Sequence, residues 1–89
     1  QNVADALRAL EADAALLKER DEAVERARSY REIVAARAKA GGASQVAVFE
    51  SRRQYHRAVL EQTRAGADRC ADSAALLQAL GGGWWQEVR

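Results

Sequence analysis

Gly41 and Gly42 stand at the middle of a chain that contains no proline, and this placement constrains the fold more than any other feature. On either side lies a long block rich in Ala, Leu, Glu, Arg and Gln, all good helix formers. A glycine enters the left-handed conformation that follows a helix without a Cβ penalty, so the pair ends the first helix. Ser44 then caps the second by accepting from the orphan N–H groups of its first turn. The pattern predicts an all-α fold, a long antiparallel helical hairpin. One helix covers about residues 2–40, the tip 41–44, the second helix about 44–80, and a Gly/Trp tail 81–89. Each arm is then about 55 to 60 Å long at the helical rise per residue. Val46 to Phe49 alternates too briefly to make a strand.

A single domain of 89 residues buries a small fraction of its surface, and here the 48% apolar content leans on alanine, with one Phe, two Tyr and two Trp. Such a hairpin is expected to associate into a helical bundle. In the first helix Val3, Leu7, Leu10, Ala14 and Leu17 recur at spacings of four and three, the signature of a coiled-coil seam. Asp21 and Arg28 interrupt that register, while Leu16, Ala23, Ala27, Tyr30 and Val34 continue a stripe displaced by one residue. A contact face that moves around the helix suits several neighbours. In the second helix Phe49, Arg53, His56, Leu60, Thr63, Ala67, Cys70, Ala74 and Leu77 hold one heptad register, which predicts the seam there. Gly66, beside the small residues of that stripe, suggests a close backbone approach.

Fourteen basic and thirteen acidic residues leave a net charge of +1, too little to recruit nucleic acid by counterion release. No apolar run is long enough to cross a bilayer as a helix, and no charged-then-apolar leader is present. The start at Gln1 reads as a processed or excised segment. The single Cys70 allows neither an internal disulfide nor a metal cluster, and its stripe position suits a small buried hydrophobe. His56 shares its helical face with Arg52, Arg53, Val59 and Leu60, which supply no second metal ligand, so an interface role by stacking or hydrogen bonding is the better reading. No nucleophile with a base at workable spacing, no phosphate loop and no enclosed carboxylate pair occurs, which points away from an enzyme and from any cofactor. Glu22 with Arg26 and Glu25 with Arg28 are spaced as helix-surface ion pairs, each contributing about 0.2 to 0.5 kcal/mol. Packing of Trp84 and Trp85 back onto the helix end is expected after the glycine run, ahead of the alternative, anchoring at a membrane interface, because no lipid-facing segment adjoins the pair.

Two stretches carry a resemblance. The tip, Ala40-Gly41-Gly42-Ala43-Ser44-Gln45-Val46-Ala47-Val48-Phe49-Glu50-Ser51-Arg52-Arg53, is similar to a family pattern of glycine, a small Ser or Thr, then Leu-Asp-Val-Leu-x-Ala-Gln-Arg. Ala79-Leu80-Gly81-Gly82-Gly83-Trp84 resembles the same family's Ala-Leu-Gly-Gly-Gly-Trp, and Val3-Ala4-Asp5-Ala6-Leu7 matches near the start. The family is the TolC-like outer-membrane efflux proteins, the exit ducts of tripartite pumps. The resemblance covers nearly all of this chain but only part of a family member, whose transmembrane β-strands and first helical repeat are not in it.

The resemblance implies the periplasmic helical hairpin of the second repeat, in a trimer whose hairpins line an α-helical tunnel in the periplasm below the outer membrane. It implies a tip that meets a periplasmic adaptor protein and the inner-membrane pump, with Gly41, Gly42, Ser44, Val46, Val48 and Phe49 as the docking residues. Glu50 and Arg53 match positions near the family's aperture. Ala47 stands where the family usually has an aspartate, and Ala38 where it usually has a tyrosine, so Glu50 is left to carry any attraction for cations. The alternative reading is a self-contained coiled-coil oligomerisation or adaptor module.

Overall fold

The computed structural model describes residues 2–88, with side chains described for residues 2–81. Two helices account for nearly all of it: α1, Val3–Lys39, and α2, Gln45–Val88, packed side by side as an antiparallel hairpin measuring 68 × 23 × 14 Å. No strand occurs among the described residues.

Local chemistry fixes both ends of α1. Asn2 is extended at φ −98° and ψ 168°, and its Oδ1 accepts from the Asp5 N–H at 2.8 Å, satisfying one orphan donor of the first turn. At the other end Gly41 adopts φ +83°, which turns the chain out of the helix. Two reversed hydrogen bonds follow: the Gly42 N–H donates to the Arg37 carbonyl at 2.7 Å and the Gly41 N–H to the Ala38 carbonyl at 3.1 Å. This is a Schellman closure, which satisfies carbonyls the helix would otherwise leave open. Arg37 and Lys39 place positive charge on that last turn, where the helix dipole favours it. Ser44 opens α2 as expected, its Oγ accepting from the Ala47 N–H at 3.1 Å.

The seam between the helices keeps one heptad register along α1 and, on α2, from Val48 to Ala65, so the slip expected in α1 does not occur. On α1 it runs through Ala6, Leu10, Asp13, Leu17, Arg20, Val24, Ala27, Arg31, Val34 and Ala38, each buried or half-buried. On α2 it runs through Val48, Ser51, Tyr55, Ala58, Gln62 and Ala65, then Asp72 and Leu76. The expected stripes are therefore corrected on both arms. Leu7, Ala14, Phe49, His56, Leu60, Thr63, Ala67, Cys70, Ala74 and Leu77 are all exposed. The reason is that small and polar groups fill the real seam, which the apolar pattern alone does not reveal.

Polar seam residues are accommodated one by one. Ser51, fully buried, donates its Oγ–H to the Val48 carbonyl at 2.8 Å, so its burial leaves no unmet hydroxyl proton. Gln62 donates to Asp21 Oδ1 across the hairpin at 2.7 Å. Arg20 reaches Glu61 at 3.7 Å, and the Arg31 guanidinium lies 4.4 Å from the centre of the Tyr55 ring. These contacts join residues at equal distances from the tip, and they set the stagger of the two arms as much as the thin apolar core does. Gly66 serves no close approach, since a Cβ built on it meets nothing within 4 Å.

Helix α2 does not stop at Leu80 but continues through Gly81, Gly82 and Gly83 to Val88. Glycine costs helix propensity, about 1 kcal/mol against alanine, yet it keeps its backbone donor, and a run of glycines ends a helix only where the chain turns back. The expected packing of the Trp84 and Trp85 side chains lies outside the described side chains.

Candidate docking surface

The tip is built by Gly41 and Ser44, which hold the two helix ends a few residues apart. Gly41, Gly42 and Ser44 are exposed at the end of both arms, as an end-on contact would require. Of the three apolar residues expected to share this surface, two are accessible: Val46 is 70% exposed and Phe49 63%. Val48 is corrected, because at 7% exposure it lies in the seam and supports the tip from beneath. Its amide donates to the Ser44 carbonyl at 3.2 Å, so it also fixes the first turn of α2.

Glu50 and Arg53 sit side by side on the outside of α2, their carboxylate and guanidinium 3.4 Å apart. The pair neutralises itself, so the only carboxylate near the tip is not a free negative charge. Exposure of both partners keeps their attraction weak. His56 is exposed rather than near the seam, its ring edge-on to Tyr55 with centroids 5.6 Å apart. Cys70 is likewise exposed and free, not a buried hydrophobe.

Behind the tip, the residues expected to form the α2 seam make a second stripe that faces away from α1. Val46, Phe49, Arg53, His56 and Leu60 belong to it, and it runs on through Thr63, Ala67, Cys70 and Ala74 to Leu77. Leu60 is 50% exposed and Leu77 66%. Helix α2 thus carries two heptad faces, a small and polar one toward α1 and a bulkier apolar one toward solvent. On a chain with so few large apolar residues, four of them lie on the outer face.

Comparison with protein-family models, with curated proteins and with solved structures finds nothing that matches the chain. The site therefore rests on its own geometry. Among the described residues no three His, Cys, Asp or Glu side chains are grouped to hold a metal ion, and no helix is long and apolar enough to cross a membrane. Two open grooves occur among the described residues, one lined by Asp21, Glu22, Glu25 and Arg26 on the outside of α1. Another runs along the seam past Leu16, Arg20, Glu61, Arg64, Ala65 and Asp68.

Reading the sequence missed the contacts that cross the hairpin. Arg28 is held more firmly in its charged form, first by Tyr55 across the hairpin and then by Glu25, whose carboxylate lies 2.9 Å away. Asp13 and Asp72, both in the seam, were also missed. The signal for all of them is positional: each lies about as far from Gly41 as its partner, which a hairpin brings together.

Proposed function

We propose that the chain is a wall segment of the periplasmic α-helical tunnel of a TolC-like outer-membrane efflux protein. It acts without catalysis, as part of a passive export duct for drugs, metals or other small molecules. The tip docks to a periplasmic adaptor beneath which the inner-membrane pump supplies the power, and the assembly is a trimer. The observation that carries this reading is the second heptad stripe of α2. A helix with two such faces belongs between two neighbours, which is how helices stand in the wall of a tube.

Charge supports the same arrangement. Among the exposed charges of the outer surfaces, Glu19 and Glu32 on α1 and Arg52 and Arg64 on α2 are engaged by no ion pair among the described residues. The Asp21–Gln62 and Arg31–Tyr55 contacts set the heights, and they bring Glu32 level with Arg52 and Glu19 level with Arg64. Hairpins standing side by side with their tips aligned therefore meet acid to base. The opposite charges favour this register over one that slides or inverts.

The tip contact is tested by crosslinking in the protein that carries this chain, with Cys70→Ser removing the exposed native thiol. Ser44→Cys is expected to crosslink to the adaptor, and Thr63→Cys, exposed at mid-arm, is not. Equal labelling from both positions would remove the docking assignment. A reading frame without amphipathic β-strand segments upstream of Gln1 would remove the efflux assignment itself. The second reading, a self-contained coiled-coil oligomerisation module, is favoured by one observation, the continuous seam from Val48 to Ala65 against α1 that lets the hairpin hold its own two arms together.

A further inference from the structure

Asp13 and Asp72 occupy heptad core positions of α1 and α2 and face each other across the seam, about 40 Å from the tip. Both are half-buried. One oxygen of Asp13, Oδ2, is shielded from solvent and meets no hydrogen-bond donor among the described residues. Two ionised carboxylates cannot satisfy one another, because each only accepts, whereas a protonated carboxyl supplies the missing donor. We propose that this pair is a proton-dependent clasp at the open end of the hairpin, closed when the two carboxyls share one proton and loosened when both are ionised.

The surroundings favour the proton. The facing Asp72 carboxyl is the first influence holding Asp13 above the ordinary aspartate range, followed by burial and the more distant charge of Asp68. Arg69 opposes them. On α1 the residues one turn away, Ala9, Leu10, Leu16 and Leu17, carry no charge, so nothing on that helix offsets the repulsion. A group whose folded pKa is raised contributes stability that is fully present below its unfolded value. That contribution is lost as pH rises through the folded value. The clasp therefore tightens the arms in acid and releases them as pH rises through the raised Asp13 value, and it does so whether or not the chain belongs to an export duct.

The test compares the full chain with Asp13→Asn and Asp72→Asn, each of which puts a permanent donor opposite the remaining carboxylate. Denaturant unfolding from pH 4 to 8 and carbon NMR titration of the two carboxyls are the readouts. Relative to either variant, the folded-to-unfolded ratio of the native chain is expected to fall by up to about tenfold per pH unit through the pair's titration. The native Asp13 carboxyl signal is expected to titrate above the ordinary aspartate range and to move back toward it in Asp72→Asn, where the facing carboxylate is gone. A stability gap that does not change with pH, or an Asp13 carboxyl that titrates in the ordinary range, would overturn the clasp.

Discussion

Gly41 and Gly42 are adjacent in sequence and different in physics. Gly41 holds φ +83°, so Gly41→Ala puts a Cβ into a left-handed backbone and is expected to destabilise the hairpin by about 1 to 2 kcal/mol. Gly42 has no such need. A Cβ on it would meet the Arg37 carbonyl at 3.6 Å, an ordinary contact, and Gly42→Ala is expected to be neutral or to stabilise by up to about 1 kcal/mol through the unfolded chain. Gly66→Ala, inside α2 with open space around the new methyl, is expected to stabilise by about 0.5 to 1 kcal/mol. Urea unfolding midpoints of the three variants check the series. Equal effects at 41 and 42 would mean that the Schellman closure does not govern the turn. The turn was legible at this scale because left-handed backbone and hydroxyl capping are properties of single residues. Gly66 was misread because the space beside a glycine depends on where the other helix lies.

At the scale of the element, each helix start rests on one capping side chain. Ser44→Ala removes the acceptor for the Ala47 N–H and Asn2→Ala the acceptor for the Asp5 N–H; each is expected to cost about 0.5 to 2 kcal/mol. The Ser44 change belongs nearer the upper figure, since that helix start is tied to the turn, whereas Asn2 caps an arm end free to fray. Unfolding midpoints, with Ser44→Asp as the variant that retains an acceptor, separate a lost cap from lost packing. Helix number, the bounds of α1, the start of α2 and the antiparallel pairing were all legible, because the tip holds the one clear breaker between two helix-forming blocks. Which face of each helix turns inward was not. On α1 the charged residues Asp13, Arg20 and Arg31 stand in core positions, the two arginines reaching Glu61 and Tyr55 on the opposite arm and Asp13 keeping one oxygen without a donor. On α2 the seam is built from Ser51, Gln62 and alanines, and the bulky stripe that a hydrophobic pattern finds first is the outer one. The end of α2 was misplaced for a related reason: glycine lowers propensity without forbidding the helix, so the run at 81–83 marks a weaker helix rather than a stop.

For the whole molecule, the balance of the two α2 faces decides whether a lone hairpin is the complete unit. The inner face buries Val48, Ser51 and Ala65, and the outer face leaves Val46, Phe49, Leu60 and Leu77 in water. Covering those four side chains releases apolar surface at about 25 cal/mol per Å², a gain open to the chain only through a neighbour. Sedimentation of the chain over a wide concentration range is therefore expected to show association. Phe49→Glu with Leu60→Glu is expected to yield a helical monomer, because neither position contributes to the inner seam. Charge fixes which neighbour fits. Arg64→Glu sets like charges at the level where one hairpin's α2 meets the next one's Glu19, and it is expected to weaken association severalfold, with Glu19→Arg in the same chain restoring it. Failure of the swap to restore association would exclude the aligned, side-by-side arrangement even if the apolar stripe still drives self-assembly. A chain that stays monomeric at every concentration would leave the outer stripe for a different partner and would remove the main support for a tunnel wall.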